Sequence, residues 1–224
     1  ELGGKSPHVV FEDTDDLEAA AQAVVAGIFR NSGQVCSAGS RLLVQDSIHD
    51  AFVEKIVELT EAMRVGDPLN LETQIGAMSS DAHLNRVLQS LESVKSVVTG
   101  GERILTETGG YYMRPAIVTD MGPEDRLVRE EIFGPVLSVL TFRTPQEAIE
   151  KANNTPFGLS AGIWSEKGSR TLWASQQLRA GVIWANTFNK FDPTSPFGGY
   201  KESGWGREGG RHGLSAYLKG VSHE

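Results

Sequence analysis

The stretch Asn31-Ser-Gly-Gln-Val-Cys36-Ser-Ala-Gly-Ser40 holds the only cysteine among 224 residues. A solitary thiol is commonly a small buried hydrophobe. Cys36, however, is fenced by glycine, serine and glutamine, which leave room for a substrate carbonyl, and amides of such a turn can steady an oxyanion. Residue types alone leave both readings open. A nucleophilic thiol needs a base, and of the five histidines His49 and His83 stand in helix-like contexts with nothing that pairs them to it. The carboxylates offer another partner. Glu1 opens Glu-Leu-Gly-Gly-Lys-Ser-Pro7, where a di-glycine lets the chain pass close to a neighbour. Glu130 and Glu131 precede the apolar turn Ile-Phe-Gly-Pro135. Each acid reads equally as a solvated charge. A thiol with a carboxylate and no histidine suits attack on an aldehyde and later activation of water. It suits peptide hydrolysis poorly, because no acid stands ready to protonate the departing amine.

Other chemistries lack their residues. The histidines form no HxxxH pair and have no second cysteine, so no metal site is expected. Neither GxSxG nor GxxxxGK[ST] occurs. Gly204-Trp-Gly206-Arg-Glu-Gly209 matches GxGxxG, but Pro196-Phe-Gly-Gly-Tyr-Lys-Glu-Ser203 before it is no apolar strand, and turn glycines are the better account. A net charge of −8 argues against nucleic acid or an anionic membrane as partner. The apolar run from Ala19 to Phe29 is too short to span a bilayer and is broken by Gln22. One cysteine excludes an internal disulfide framework and fits a reducing, cytoplasmic compartment.

The elements that must carry these residues alternate along the chain. Short apolar runs at His8–Phe11, Arg41–Gln45, Pro135–Phe142, Ala161–Trp164 and Gly181–Ala185 read as strands. Asp15 and Asp16 are candidate caps for a helix to about Asn31. Ile48, Phe52, Ile56, Leu59 and Met63 give Ser47–Met63 an amphipathic helix. Thr144-Pro-Gln-Glu147 opens another, with proline in its first turn and a capping-box glutamate, and Ser169–Leu178 a further one. Between Pro68 and Met121 the pattern loosens to a helix near Asp81–Leu91 and a strand at Ser96–Thr99. This alternation predicts an α/β domain with a largely parallel sheet and helices on both faces. No linker or repeat divides residues 1–224, so one domain is expected.

Five segments together resemble the NAD(P)-dependent aldehyde dehydrogenase superfamily: ELGGKSP at Glu1–Pro7, the cysteine turn from Asn31, EEIFGPV at Glu130–Val136, NNTPFGL at Asn153–Leu159, and PFGGYKESG at Pro196–Gly204. They occur in family order across essentially the whole chain. The resemblance implies the catalytic-domain fold of that family and roles position by position. Cys36 matches the nucleophile, whose backbone amide donates to the oxyanion, and Glu1 the base that activates water for thioester hydrolysis. Glu131, Phe133, Leu2 and Gly3 match positions that hold the nicotinamide end of NAD or NADP. Phe197, with Phe191 nearby, matches the substrate passage. Glu1 also matches acid-forming rather than coenzyme A-acylating members.

The resemblance further implies that residues 1–224 are one catalytic half, with the adenosine site and a second oxyanion donor in an N-terminal half, and that residues 212–224 begin a C-terminal tail. The expected partner is a small-molecule aldehyde, in a homo-oligomeric parent protein. The isolated chain is expected to lack dehydrogenase activity; residual thiol-esterase activity or service as an interaction module are the alternatives. Trp184, Phe188, Phe191 and Phe197 read either as an aromatic approach or as core. Lys190 and Asp192 read either as selectors of a charged aldehyde or as a solvated loop.

Overall fold

The computed structural model describes residues 2–92 and 94–219. Glu1, the expected water-activating carboxylate, and residues 220–224 of the expected tail lie outside the described residues. In chain order the elements are β1 (Pro7–Val10), α1 (Leu17–Phe29), β2 (Arg41–Gln45), α2 (His49–Glu61), α3 (Asp81–Leu91), β3 (Val97–Thr99), β4 (Arg103–Ile104), β5 (Tyr112–Met113), β6 (Ala116–Val118), α4 (Arg126–Arg129), β7 (Val136–Phe142), α5 (Pro145–Asn153), β8 (Phe157–Gly158), β9 (Ser160–Trp164), α6 (Gly168–Gln177), β10 (Val182–Ala185), β11 (Tyr200–Lys201) and α7 (Gly210–Ser215).

Seven strands form the central sheet in the order β10-β9-β1-β2-β7-β6-β3. Every neighbouring pair is parallel except β3, which runs antiparallel along β6 at the edge. The mixed α/β fold with its mostly parallel sheet is the one the sequence predicts. Strands buried on both faces are rich in apolar residues, as β2 (RLLVQ) and β7 (VLSVLTF) are. Leu42, Val44, Leu137 and Val139 face α1 and α2, packing with Ala21, Val24, Ile28, Phe52 and Ile56. Leu43, Leu140 and Phe142 face the opposite side, with Ala148 and Ile149 of α5 and Ala174 of α6. A third cluster packs Leu84, Val87 and Leu91 of α3 against Ala116, Val118 and Val136.

The helix starts follow their caps. The Asp16 carboxylate accepts from Ala19 N–H (2.8 Å), and Thr144 Oγ1 accepts from Glu147 N–H (3.2 Å) ahead of Pro145. α1 ends at Phe29, two residues short of the predicted Asn31, because Asn31, Ser32 and Gly33 all take left-handed conformations (φ 53°, 55° and 69°). α2 starts at His49, after a 3-10 turn over Asp46–Ile48. The GxGxxG match is turn backbone: β11 before it pairs antiparallel with β8, and Gly204 and Gly209 are left-handed (φ 83° and 70°). Among the described residues no helix is long and apolar enough to cross a membrane. The start of the expected tail, from His212, lies within α7.

Candidate active site

Four of the singled-out segments lie immediately before a strand: Leu2–Ser6 before β1, the cysteine turn before β2, Glu130–Pro135 before β7, and Asn154–Pro156 before β8 and β9. Because β9, β1, β2 and β7 are parallel neighbours, their amino ends share one edge of the sheet. The fifth segment joins them at β10, where a side chain at Gly181 would collide with the Gly198 backbone. Parallel pairing therefore gathers segments far apart in sequence.

The cysteine turn is built from backbone up. Asn31 Nδ2 donates to Gln34 O (3.0 Å), Ser32 Oγ to Gly76 O (2.9 Å), and Ala38 N–H closes onto Val35 O (3.0 Å) around Cys36. Gly33 is left-handed, and any side chain there would strike Gly134 of the Glu130–Pro135 segment. The two turns thus touch backbone to backbone, a contact only glycine permits. Cys36 is partly exposed rather than a core filler.

Glu131 meets the opening segment. Gly4 N–H donates to Glu131 Oε1 (3.0 Å), and the carboxylate lies where a Gly3 side chain would stand. On the other flank a side-chain carbon at Gly4 would come within 2.6 Å of the Cys36 carbonyl. The di-glycine therefore runs between the carboxylate and the thiol turn. Burial raises the Glu131 carboxyl above its ordinary value, with the Gly4 amide and the Lys5 ammonium pulling it back. Leu2 is exposed, its amide held by Ser203 O (3.0 Å).

Phe133 adopts φ 56° and is 38% exposed as a residue. Left-handed backbone costs a side-chain-bearing residue about 1–2 kcal/mol. Its carbonyl receives the buried His83 Nε2 at 2.7 Å, while Arg86 contacts His83 Nδ1 at 2.8 Å. A guanidinium can only donate, so Nδ1 accepts and Nε2 carries the proton.

Cys36 opens on a cavity of about 570 Å³ whose walls include Val35, Phe191, Asp192, Phe197 and Glu208. Phe191 and Phe197 meet edge to face (centroids 5.1 Å apart), and Trp184 backs Phe191 at 5.3 Å. Trp184 and Phe188 are buried, so of the four aromatics these two are core and the other two are lining. Asp192 lies on the wall with its carboxylate held ionised by Thr194, whereas Lys190 is exposed outside the lining. Neither His49 nor His83 lines this cavity. Glu131 instead borders a separate open groove of about 600 Å³ with Arg129, Pro156, Phe157 and Glu202.

Several residues that position the site carry no local signal of that work. Ser203, fully buried, donates to Gly3 O (2.7 Å) and accepts from Gly158 N–H (3.0 Å), tying three segments at one hydroxyl. Lys5 is fully buried, and among the described residues its Nζ has no hydrogen-bond partner. Burial and the neighbouring Arg41 charge bring it down to about 7. Arg41, equally buried, donates to the carbonyls of Lys5, Lys151, Ala152 and Asn154.

A sequence profile described as the aldehyde dehydrogenase family matches residues 1–221. The betaine aldehyde dehydrogenase of Vibrio vulnificus is 44% identical over 226 residues, covering 98% of this chain and 46% of that protein. Among solved structures, the aldehyde dehydrogenase KauB of Pseudomonas aeruginosa superposes with a TM-score of 0.95 at 44% identity, over 97% of this chain and 45% of that one. The betaine aldehyde dehydrogenase of Staphylococcus aureus, in complex with NAD+, gives 0.94 at 36% identity, over 98% and 44%. The chain spans less than half the length of these relatives.

Proposed function

From the membership of this chain in the aldehyde dehydrogenase family, we propose that the protein carrying it oxidises an aldehyde to a carboxylic acid with NAD(P)+, and that Cys36 is the nucleophile. The observation that carries this is the partly exposed Cys36 at the mouth of an aromatic-walled cavity, with the Glu131 carboxylate across the di-glycine.

In this reading the Cys36 thiolate adds to the aldehyde carbon, and amides of its turn receive the developing oxyanion. Phe191 and Phe197 guide the aldehyde to the thiol and keep water from the acyl group. NAD(P)+, when bound, accepts the hydride that converts the thiohemiacetal to a thioester. The residues fit its nicotinamide ribose: Glu131 is a half-buried carboxylate oriented by an amide at the rim of an open groove, and Gly3 leaves the space that carboxylate occupies. The exposed Leu2 and Phe133 are assigned to the nicotinamide end in the same reading. Glu1 then takes a proton from water, which attacks the thioester and frees Cys36.

The betaine aldehyde dehydrogenases among the relatives and the Asp192 carboxylate on the cavity wall favour an aldehyde bearing a positive charge. A reducing, cytoplasmic setting and a homo-oligomeric assembly belong to the same proposal. In the complete protein, Cys36→Ala should remove dehydrogenase turnover altogether. Turnover that survives this substitution overturns the assignment.

A further inference from the structure

We propose that His83, outside both clefts, is a positioning residue that fixes Phe133 for cofactor engagement; this rests on the reading of Phe133 given above. Two contacts from one face of α3 reach the loop before β7, and a third, within the helix, orients the first. His83 Nε2–H donates to Phe133 O (2.7 Å). A side-chain carbon at Gly134 would come within 2.7 Å of Val87. Arg86 holds His83 Nδ1 at 2.8 Å, which fixes both the ring orientation and its tautomer. On its far side the same loop meets Gly33 of the cysteine turn. The Phe133 peptide is thus gripped between α3 and the thiol turn while its backbone is left-handed (φ 56°).

Such a conformation persists only where its surroundings over-determine it. The hydrogen bond to the Phe133 carbonyl is a polar restraint on that peptide, and its donor is a buried imidazole that the chemistry does not otherwise use. Removing it frees the peptide to rotate and lets the ring of this partly exposed residue leave the position it holds here. The thiol itself keeps its turn, because the Asn31–Gln34 and Val35–Ala38 bonds do not pass through His83.

The test compares His83→Leu with His83→Gln in the complete protein, since glutamine retains an N–H donor and an acceptor in one side chain. His83→Leu should lower kcat/KM for NAD+ roughly tenfold, within the range that misplaced groups cost, while Cys36-dependent hydrolysis of a nitrophenyl ester, which needs no hydride acceptor, stays within about twofold of wild type. His83→Gln should recover most of the loss. Equal falls in both activities indicate general damage and overturn the proposal, as does an unchanged kcat/KM for NAD+. Imidazole 15N NMR on the 224-residue chain gives a readout independent of turnover: a neutral ring protonated at Nε2 is expected, and protonation at Nδ1 is incompatible with the proposal. If Cys36→Ala retains dehydrogenase activity, the underlying functional reading fails instead, whatever His83 does.

Discussion

Lys5 is the residue whose burial is hardest to reconcile with stability alone. Its ammonium is buried within the field of Arg41, with Glu131 and Glu130 as the carboxylates that oppose the shift. A folded value near 7 against an ordinary 10.5 means that the unfolded chain binds the proton more tightly. Between those values the unfolded state carries more protons, so stability rises with pH across the window. Below about pH 7 both states are protonated and the full penalty applies. Lys5→Met should therefore raise denaturant stability at neutral pH and flatten its dependence between about pH 7 and 10.5, measured by urea unfolding. An unaltered pH slope would show that the ammonium is solvated in the native state. The ammonium charge opposes the upward shift that burial imposes on the Glu131 carboxyl.

Among the elements, the cysteine turn and the loop before β7 meet backbone to backbone. Their contact runs through Gly33, left-handed and pressed on the Gly134 carbonyl. Gly33→Ala combines a disfavoured φ with a backbone collision, and should cost about 2 kcal/mol or more. Because the collision pushes the two turns apart, it should also alter the rate of Cys36 alkylation by iodoacetamide, which depends on the thiol's surroundings. Thermal unfolding and the alkylation rate together check this, and a variant unchanged in both would refute the packing argument. The same logic explains the early end of α1: three left-handed residues stop the helix so that the turn can aim Cys36 into the cavity. Helix periodicity in the sequence runs on past Phe29, because Asn31 and Ser32 are not residues that visibly forbid a helix.

For the whole molecule, the two clefts are unequal to a dinucleotide. The groove beside Glu131 is bordered by Glu124, Glu130 and Glu202 as well as Arg126 and Arg129, so its charge is mixed where a pyrophosphate would need donors. Pyrophosphate is normally met by a glycine turn opening a helix after a parallel strand. The one formal glycine match, Gly204–Gly209, follows an antiparallel strand and opens a six-residue helix. We therefore expect titration calorimetry of the 224-residue chain with NAD+ to give no binding at micromolar concentrations. A micromolar Kd would mean that this half alone holds the cofactor.

The sequence by itself determined the alternation of strands and helices, the two-faced burial of β2 and β7, and the singular thiol, because each depends on near neighbours and short periods. It also placed the carboxylates and glycines in the order that carries the family resemblance. The tertiary structure alone decided which of these segments meet. The order β9-β1-β2-β7 is set by packing across the sheet, and no local pattern encodes that Gly4 lies on the Cys36 carbonyl or that Ser203 fastens Gly3 to Gly158. His83 gives the plainest case. In sequence it is a helix residue without a chemical neighbour, and only folding brings its N–H to a carbonyl fifty positions away.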